Sequence, residues 1–295
     1  MTILAPPDPP PLVAGAKLTV ETIGRLLEPA FATGRERPVS TTIDLRRVQF
    51  VTPFALVALA TQIEAAYDQG GSVRLLCPAQ PATLRYLAAS GFFYHVRSRA
   101  DVSGGEGYLD RSPTTAATVL PLTRIGGRTD IDRAYYDVRD RVDEMSQGGA
   151  WLLQFRNLVI ELCGNIFRHA EVEVGYVVAQ RYDGRGGPFI ELAIGDAGLG
   201  VIETLAPSHP ELLQLAPGAA LRKAVQEELS SGLDDHGGNG FYGLHKVARE
   251  RRGRFVMRSG SARVSARRGS ASLVGSTRRD SLPGTQIMVT VDCDR

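Results

Sequence analysis

Residues 189–200 read FIELAIGDAGLG. FIELAIG has the length and apolar content of a strand, and it runs directly into Asp196, Gly198 and Gly200. A carboxylate at a strand's end can accept from a donor such as an exocyclic amine. The glycines free the backbone to turn tightly and let a flat ring come close to main chain. Alone, this stretch is a strand followed by a turn. Three other stretches give it a context.

Upstream, WLLQFRNLVIELCGNIFRHA (151–170) predicts one helix. Leu158, Leu162 and Ile166 recur every four residues as an apolar stripe. Glu161, Asn165 and His169 recur at the same interval as a polar one. A step of four residues turns the side chain by only about 40°, so these three project to one side. Such a line is either solvated or built for a ligand. Downstream, Gly237, Gly238, Asn239, Gly240, Phe241, Tyr242, Gly243 and Leu244 lead into HKVARERRG. Glycines just before a helix expose amide N–H groups and the positive helix end, which suits phosphate. No Gly-Lys-Ser/Thr follows, so this is not a P-loop, and no strand immediately precedes it, so it is not a Rossmann fingerprint. Last come Gly284 and Thr285, ahead of the strand QIMVTV.

In this order the four stretches resemble the GHKL ATPase superfamily, over about residues 120–294. The resemblance implies a C-terminal two-layer α/β sandwich with a mixed sheet, binding ATP and Mg²⁺. It implies Asn165 as the Mg²⁺ ligand, which fits a hard cation's preference for oxygen, and Glu161 as the general base. His169 lies on the same stripe, at the nucleotide. Asp196 resembles the adenine-reading Asp, with Gly198 and Gly200 beside the base. Gly238, Gly240, Gly243 and Leu244 resemble the phosphate-side glycine box. Thr285 resembles the Thr that buttresses Asp196 through water. A lid is implied between about 201 and 240, where PGAALRKAVQEELSS predicts a short helix; Arg222 and Lys223 there face either phosphate or solvent.

The first part of the chain alternates strand and helix. AKLTV (16–20) predicts a strand, ETIGRLLEPAF a helix, STTIDLRRVQFV a strand, PFALVALATQIEAAYDQGG a helix started by Pro53, SVRLLC a strand and PATLRYLAASGFF a helix. Residues 15–97 resemble a STAS domain, the fold of anti-sigma-factor antagonists. That family's acceptor segment reads Asp-Ser-Ser-Gly. Here Thr52, Pro53, Phe54 and Ala55 stand in its place, and Phe54 has no hydroxyl to phosphorylate. The usual first strand is missing, or replaced by the Pro-rich tail. The fold expected is thus α/β in two domains: a tail at 1–14, a STAS-like α/β layer domain at 15–98, a Gly/Ser-rich linker at 99–119 and the GHKL domain at 120–295. A second irregular stretch is expected at about 259–283, rich in Ser, Gly and Arg.

The net charge of +2 supplies no general attraction to nucleic acid. Ten arginines fall between Arg249 and Arg279 with Glu250 as the one acid. That run reads as a solvated helix end and hairpin, an acidic partner's site or, least, a nucleic-acid surface. Cys77, Cys163 and Cys293 stand in no metal spacing, and no leader or apolar run of membrane length is visible. A cytoplasmic, membrane-free bacterial regulator is the expectation, with a homodimer left open.

Within the superfamily, none of the five histidines sits in a long helical hairpin ahead of the ATP domain, which points away from histidine kinases. Eleven residues follow Gly284, too few for the phosphate-contacting domain of gyrase-like machines. ELCGNIFRHA matches the compact anti-sigma-factor serine kinases. The expectation is a Mg-ATP-dependent Ser/Thr protein kinase acting on a protein partner, such as an anti-anti-sigma-like regulator. The alternative is an ATP-gated protein-binding module or slow ATPase without phosphotransfer.

Overall fold

The computed structural model describes the chain apart from residues 1–8, 32–39, 115–117, 128, 131, 134–135, 138–139, 141–158, 161, 165–173, 185, 231–238 and 294–295. Strands β1 (Leu12–Val13), β3 (Ser40–Asp44), β5 (Ser72–Leu76) and β6 (Asp101–Ser103) form a parallel sheet in the order β1-β3-β5-β6. β2 (Lys17–Leu18) and β4 (Phe50–Val51) pair as a separate parallel ribbon. The segment 40–51, expected as one strand, therefore divides into β3 and β4 in different sheets. Asp44 causes the break. Its carboxylate takes the Arg46 N–H at 3.0 Å and the Arg46 guanidinium at 3.0 and 2.7 Å, closing a turn at the strand's end. β1 lies inside the stretch expected as a tail, and β6 inside the one expected as a linker.

Four helices accompany this sheet: α1 (Ile23–Phe31), α2 (Pro53–Asp68), α3 (Pro81–Ala89) and α4 (Phe92–Val96). Thr52 caps α2, its hydroxyl accepting the Ala55 N–H at 3.4 Å, and Pro53 occupies the first turn. Residues 81–93, expected as one helix, break at Gly91, whose φ of +83° interrupts the helix between α3 and α4.

The second sheet runs β10-β11-β9-β8-β7, with β7 (Thr118–Ile125), β8 (Gly175–Gly184), β9 (Gly187–Asp196), β10 (Phe255–Ala266) and β11 (Val274–Asp292). Every described pairing in it is antiparallel, where a mixed sheet was expected. The stretch expected to be irregular, 259–283, forms the arms of the β10–β11 hairpin. Three helices follow β9 or flank the hairpin: α5 (Val201–Leu205), α6 (Pro217–Gln226) and α7 (Asn239–Glu250).

Side-chain alternation divides this sheet's two faces. Val177, Ala179, Leu192, Ile194, Met257 and Ile287 pack in one core with α6 and α7. Tyr176, Val178, Ala193, Val256 and Met288 pack in the other, with α1 and α2. The sheet thus has α6 and α7 on one face and α1 and α2, from the N-terminal part, on the other. α2 lies between the parallel and antiparallel sheets, and apart from Ala65 all its residues from Pro53 to Ala66 are buried. A helix apolar on every side finds such a place.

Polar contacts pin the layers. Glu64 on α2 meets the Tyr176 hydroxyl at 2.8 Å and the guanidinium groups of Arg124 and Arg99 at 2.8 and 3.0 Å. Burial opposes its charge, but these donors outweigh burial and hold the carboxyl below its usual range. Arg258, 1% exposed, pairs with Asp280 at 2.9 Å, and Arg278 joins it at 3.2 Å. Arg254 and Arg263 both reach Glu21, just before α1. The Arg-rich run, expected chiefly as a solvated face, leaves Arg252, Arg267, Arg268 and Arg279 exposed but puts Arg258 inside the molecule, with Arg263 and Arg278 part-buried beside it. Their acids come from outside that run.

Candidate functional site

Asp196 ends β9, on the face that carries α6 and α7. It is buried, and its Oδ1 accepts the N–H groups of Gly198 at 3.0 Å and Thr285 at 3.3 Å. Among the described residues no donor meets Oδ2. Burial raises the carboxyl to about 7, and the two N–H bonds only moderate that rise.

The strand register builds a row across three strands. Gln286 stands opposite Gly195, which sets Thr285 beside Asp196, and Ser259 stands opposite Thr285. Ser259 then pairs onward irregularly. Gly260 stands opposite Leu282, so Pro283 and Gly284 are two extra residues bulged from β11. Gly284 has φ +78°, and a Cβ there would fall 2.2 Å from the Asp196 carbonyl oxygen. Gly200 is also closely approached, by side chains: its Cβ would lie 2.5 Å from Glu203 Oε2 and 2.6 Å from Ser259 Oγ. Ser259 Oγ accepts the Val201 N–H at 2.8 Å, holding the start of α5 against the row.

The structure thus brings Asp196, Gly198, Gly200 and Thr285 together. It adds Ser259 and Gln286, which no sequence signal marked. Gly240 and Gly243 lie inside the first turns of α7 and not in a loop before it. Leu244 is fully buried in the core under that helix, where it packs. Glu161, Asn165, His169 and Gly238 lie outside the described residues. Around them, Val159, Leu162 and Cys163 are helical and buried in the same core, with Leu162 from the expected apolar stripe. The helix expected in the lid, α6, is seated tightly on the hairpin. A Cβ on its Gly218 would lie 2.3 Å from the Ser276 backbone. Arg222 is exposed and Lys223 pairs with Glu227 at 2.6 Å.

Phe54 is 1% exposed at the start of α2, and its N–H donates to Glu191 on β9. Burial raises Glu191 to about 7. Among the described residues, no helix is long and apolar enough to cross a membrane, and no three His, Cys, Asp or Glu side chains gather as a metal site. No protein-family model, no curated protein and no solved structure matches the chain.

Proposed function

We propose that this chain is a Mg-ATP-binding regulatory protein of the GHKL type, acting as a Ser/Thr protein kinase on a separate protein partner. One observation carries the nucleotide reading: Asp196 is a buried strand-end carboxylate with Oδ1 engaged by two N–H groups, while Oδ2 meets no donor among the described residues. A carboxylate oxygen accepts readily from an exocyclic amine such as that of adenine, and the closeness of Gly198, Gly200 and Gly284 leaves main chain beside it. These residues fit the base.

ATP would supply a transferable phosphoryl group. In this reading Asp196 selects and orients the base, and Thr285 holds Asp196. Asn165 would hold Mg²⁺, and Glu161 would take the proton from the partner's hydroxyl. The partner is separate because the N-terminal part offers no acceptor at the usual place. Phe54 is sealed against β9, and the Thr52 hydroxyl is engaged as a helix cap.

Thermal melting tests this. Mg-ATP and ADP at about one hundred times their dissociation constants should stabilise by about 2.7 kcal/mol. GTP should do much less, because it presents a carbonyl to Asp196. An equal shift with GTP removes the adenine assignment. Labelled Mg-ATP with the co-purifying proteins then separates transfer to protein from release of free phosphate.

A further inference from the structure

The Asp196 row is tied to α2 by a pair of buried amides. Gln62, fully buried on α2, donates from Nε2 to the Pro283 carbonyl at 3.4 Å. Gln286, 1% exposed on β11, donates from Nε2 to the same carbonyl at 3.0 Å and to the Asp196 carbonyl at 2.9 Å. The bulge at Pro283 and Gly284 is therefore gripped between α2 on one side and the backbone of Asp196 on the other. Gly284 is packed so closely on Asp196 that a methyl group would not fit.

We propose that Gln62 is a positioning residue for this site, and that the N-terminal part sets the Asp196–Thr285 geometry through the Pro283–Gly284 bulge.

The chemistry of the two amides favours positioning over packing. Gln62 Oε1 and Gln286 Oε1 are both buried with no hydrogen-bond partner. Leaving such an acceptor unmet is costly, and an apolar side chain of the same length would fill the space without that cost. Neither amide can reverse, because turning it would set its oxygen against a carbonyl oxygen. What each amide contributes at this place is its donor. Gln62 donates to the residue that begins the bulge, and Thr285, two residues on, donates to Asp196 Oδ1. A displacement of α2 thus reaches the carboxylate through a few consecutive backbone atoms. Anything that engages the N-terminal part and shifts α2 alters the Asp196 site.

The ATP readout below rests on the nucleotide reading; hydrogen exchange and melting temperature do not. Gln62→Met keeps the reach of the side chain and removes the amide. In the folded full chain, residue-resolved hydrogen exchange at the Thr285 and Gly198 amides should quicken about fivefold, the equivalent of one ordinary hydrogen bond. The melting temperature should hold nearly constant, as expected of a volume-conserving swap. ATP should bind about fivefold more weakly, with the pH midpoint of binding displaced, which loss of packing alone would not do. Unchanged exchange at both amides in folded Gln62→Met overturns the proposal. If that variant does not fold, Gln62→Asn, too short to reach Pro283, takes its place under the same criteria. Quickened exchange in a protein whose wild type binds no ATP leaves the positioning role standing and removes the nucleotide reading.

Discussion

The Tyr176 hydroxyl donates to Glu64 Oε2 across 2.8 Å, joining β8 to α2 between residues 112 apart in the chain. This contact sits inside the layer that joins the two sheets, where Arg124 and Arg99 complete the cluster. Tyr176→Phe should cost about 2 kcal/mol, the usual loss for a hydrogen bond to a charged group. Glu64→Ala should cost more, about 3 kcal/mol, because it strands two half-buried guanidinium groups. Denaturant unfolding of both variants checks the order. If Tyr176→Phe is neutral, the hydroxyl contributes nothing to the joint.

Asp196 should make stability and binding pH-dependent in opposite senses. Its carboxyl stands at about 7 when folded, against an ordinary 3.8, so the folded state holds the proton more tightly than the unfolded state does. The stability penalty is absent below the ordinary value, grows as pH rises through that window, and levels off above about 7. Each pH unit of the window is worth about 1.4 kcal/mol at most. Asp196→Asn should therefore gain on wild type in melting temperature between pH 5 and pH 8, which are about the limits of a convenient scan. Glu191, also raised to about 7, adds a slope in the same window, so Asp196→Asn alone should not flatten the profile. An amine donor prefers the ionised carboxylate, so stabilisation by ATP should fade as pH drops below that point, and Asp196→Asn should lose it. A parallel profile for variant and wild type would refute the assignment.

Gly284→Ala should be among the most damaging single substitutions. The position has φ +78°, and a Cβ would meet the Asp196 carbonyl oxygen and Ala197 Cα at 2.2 and 2.6 Å. Backbone strain of this kind costs about 1 to 3 kcal/mol before the clash is counted. The row should lose its register, so ligand binding should fall together with stability. Gly70 has a similar φ, +75°, with nothing within 4 Å of a Cβ, so Gly70→Ala isolates the strain. Equal losses in the two variants would mean that the close approach at Gly284 is unimportant.

Glu161→Ala and Asn165→Ala should differ. In the proposed function Glu161 handles a proton, so ATP affinity should stay while turnover or phosphotransfer falls by about 10²- to 10⁴-fold. Asn165 would ligate Mg²⁺, so its loss should weaken Mg-ATP itself. Titration calorimetry beside a phosphotransfer assay separates the two. Wild-type transfer rates in Glu161→Ala would exclude it as the base. An inactive wild type whose partner affinity still responds to ATP would favour the gated binding module.

Local chemistry made much of this protein readable in advance. The strand–Asp–Gly order at 189–200, the start of α2 at Pro53, and the strand–helix alternation before residue 98 follow from side-chain period and helix-start preference, which act over a few residues. Tertiary structure decided the rest, because it depends on partners far apart in sequence. PFALVALATQIEAAYD was legible as a helix, but its burial between two sheets shows only in the folded chain. Arg258, Arg254 and Arg263 looked solvated within a run holding one acid, until folding brought Asp280 and Glu21 to them. The Asp196 motif marked a carboxylate at a strand end. Its burial, its two N–H donors and its link to Gln62 arise where β9, β11 and α2 meet, and no local pattern encodes that meeting.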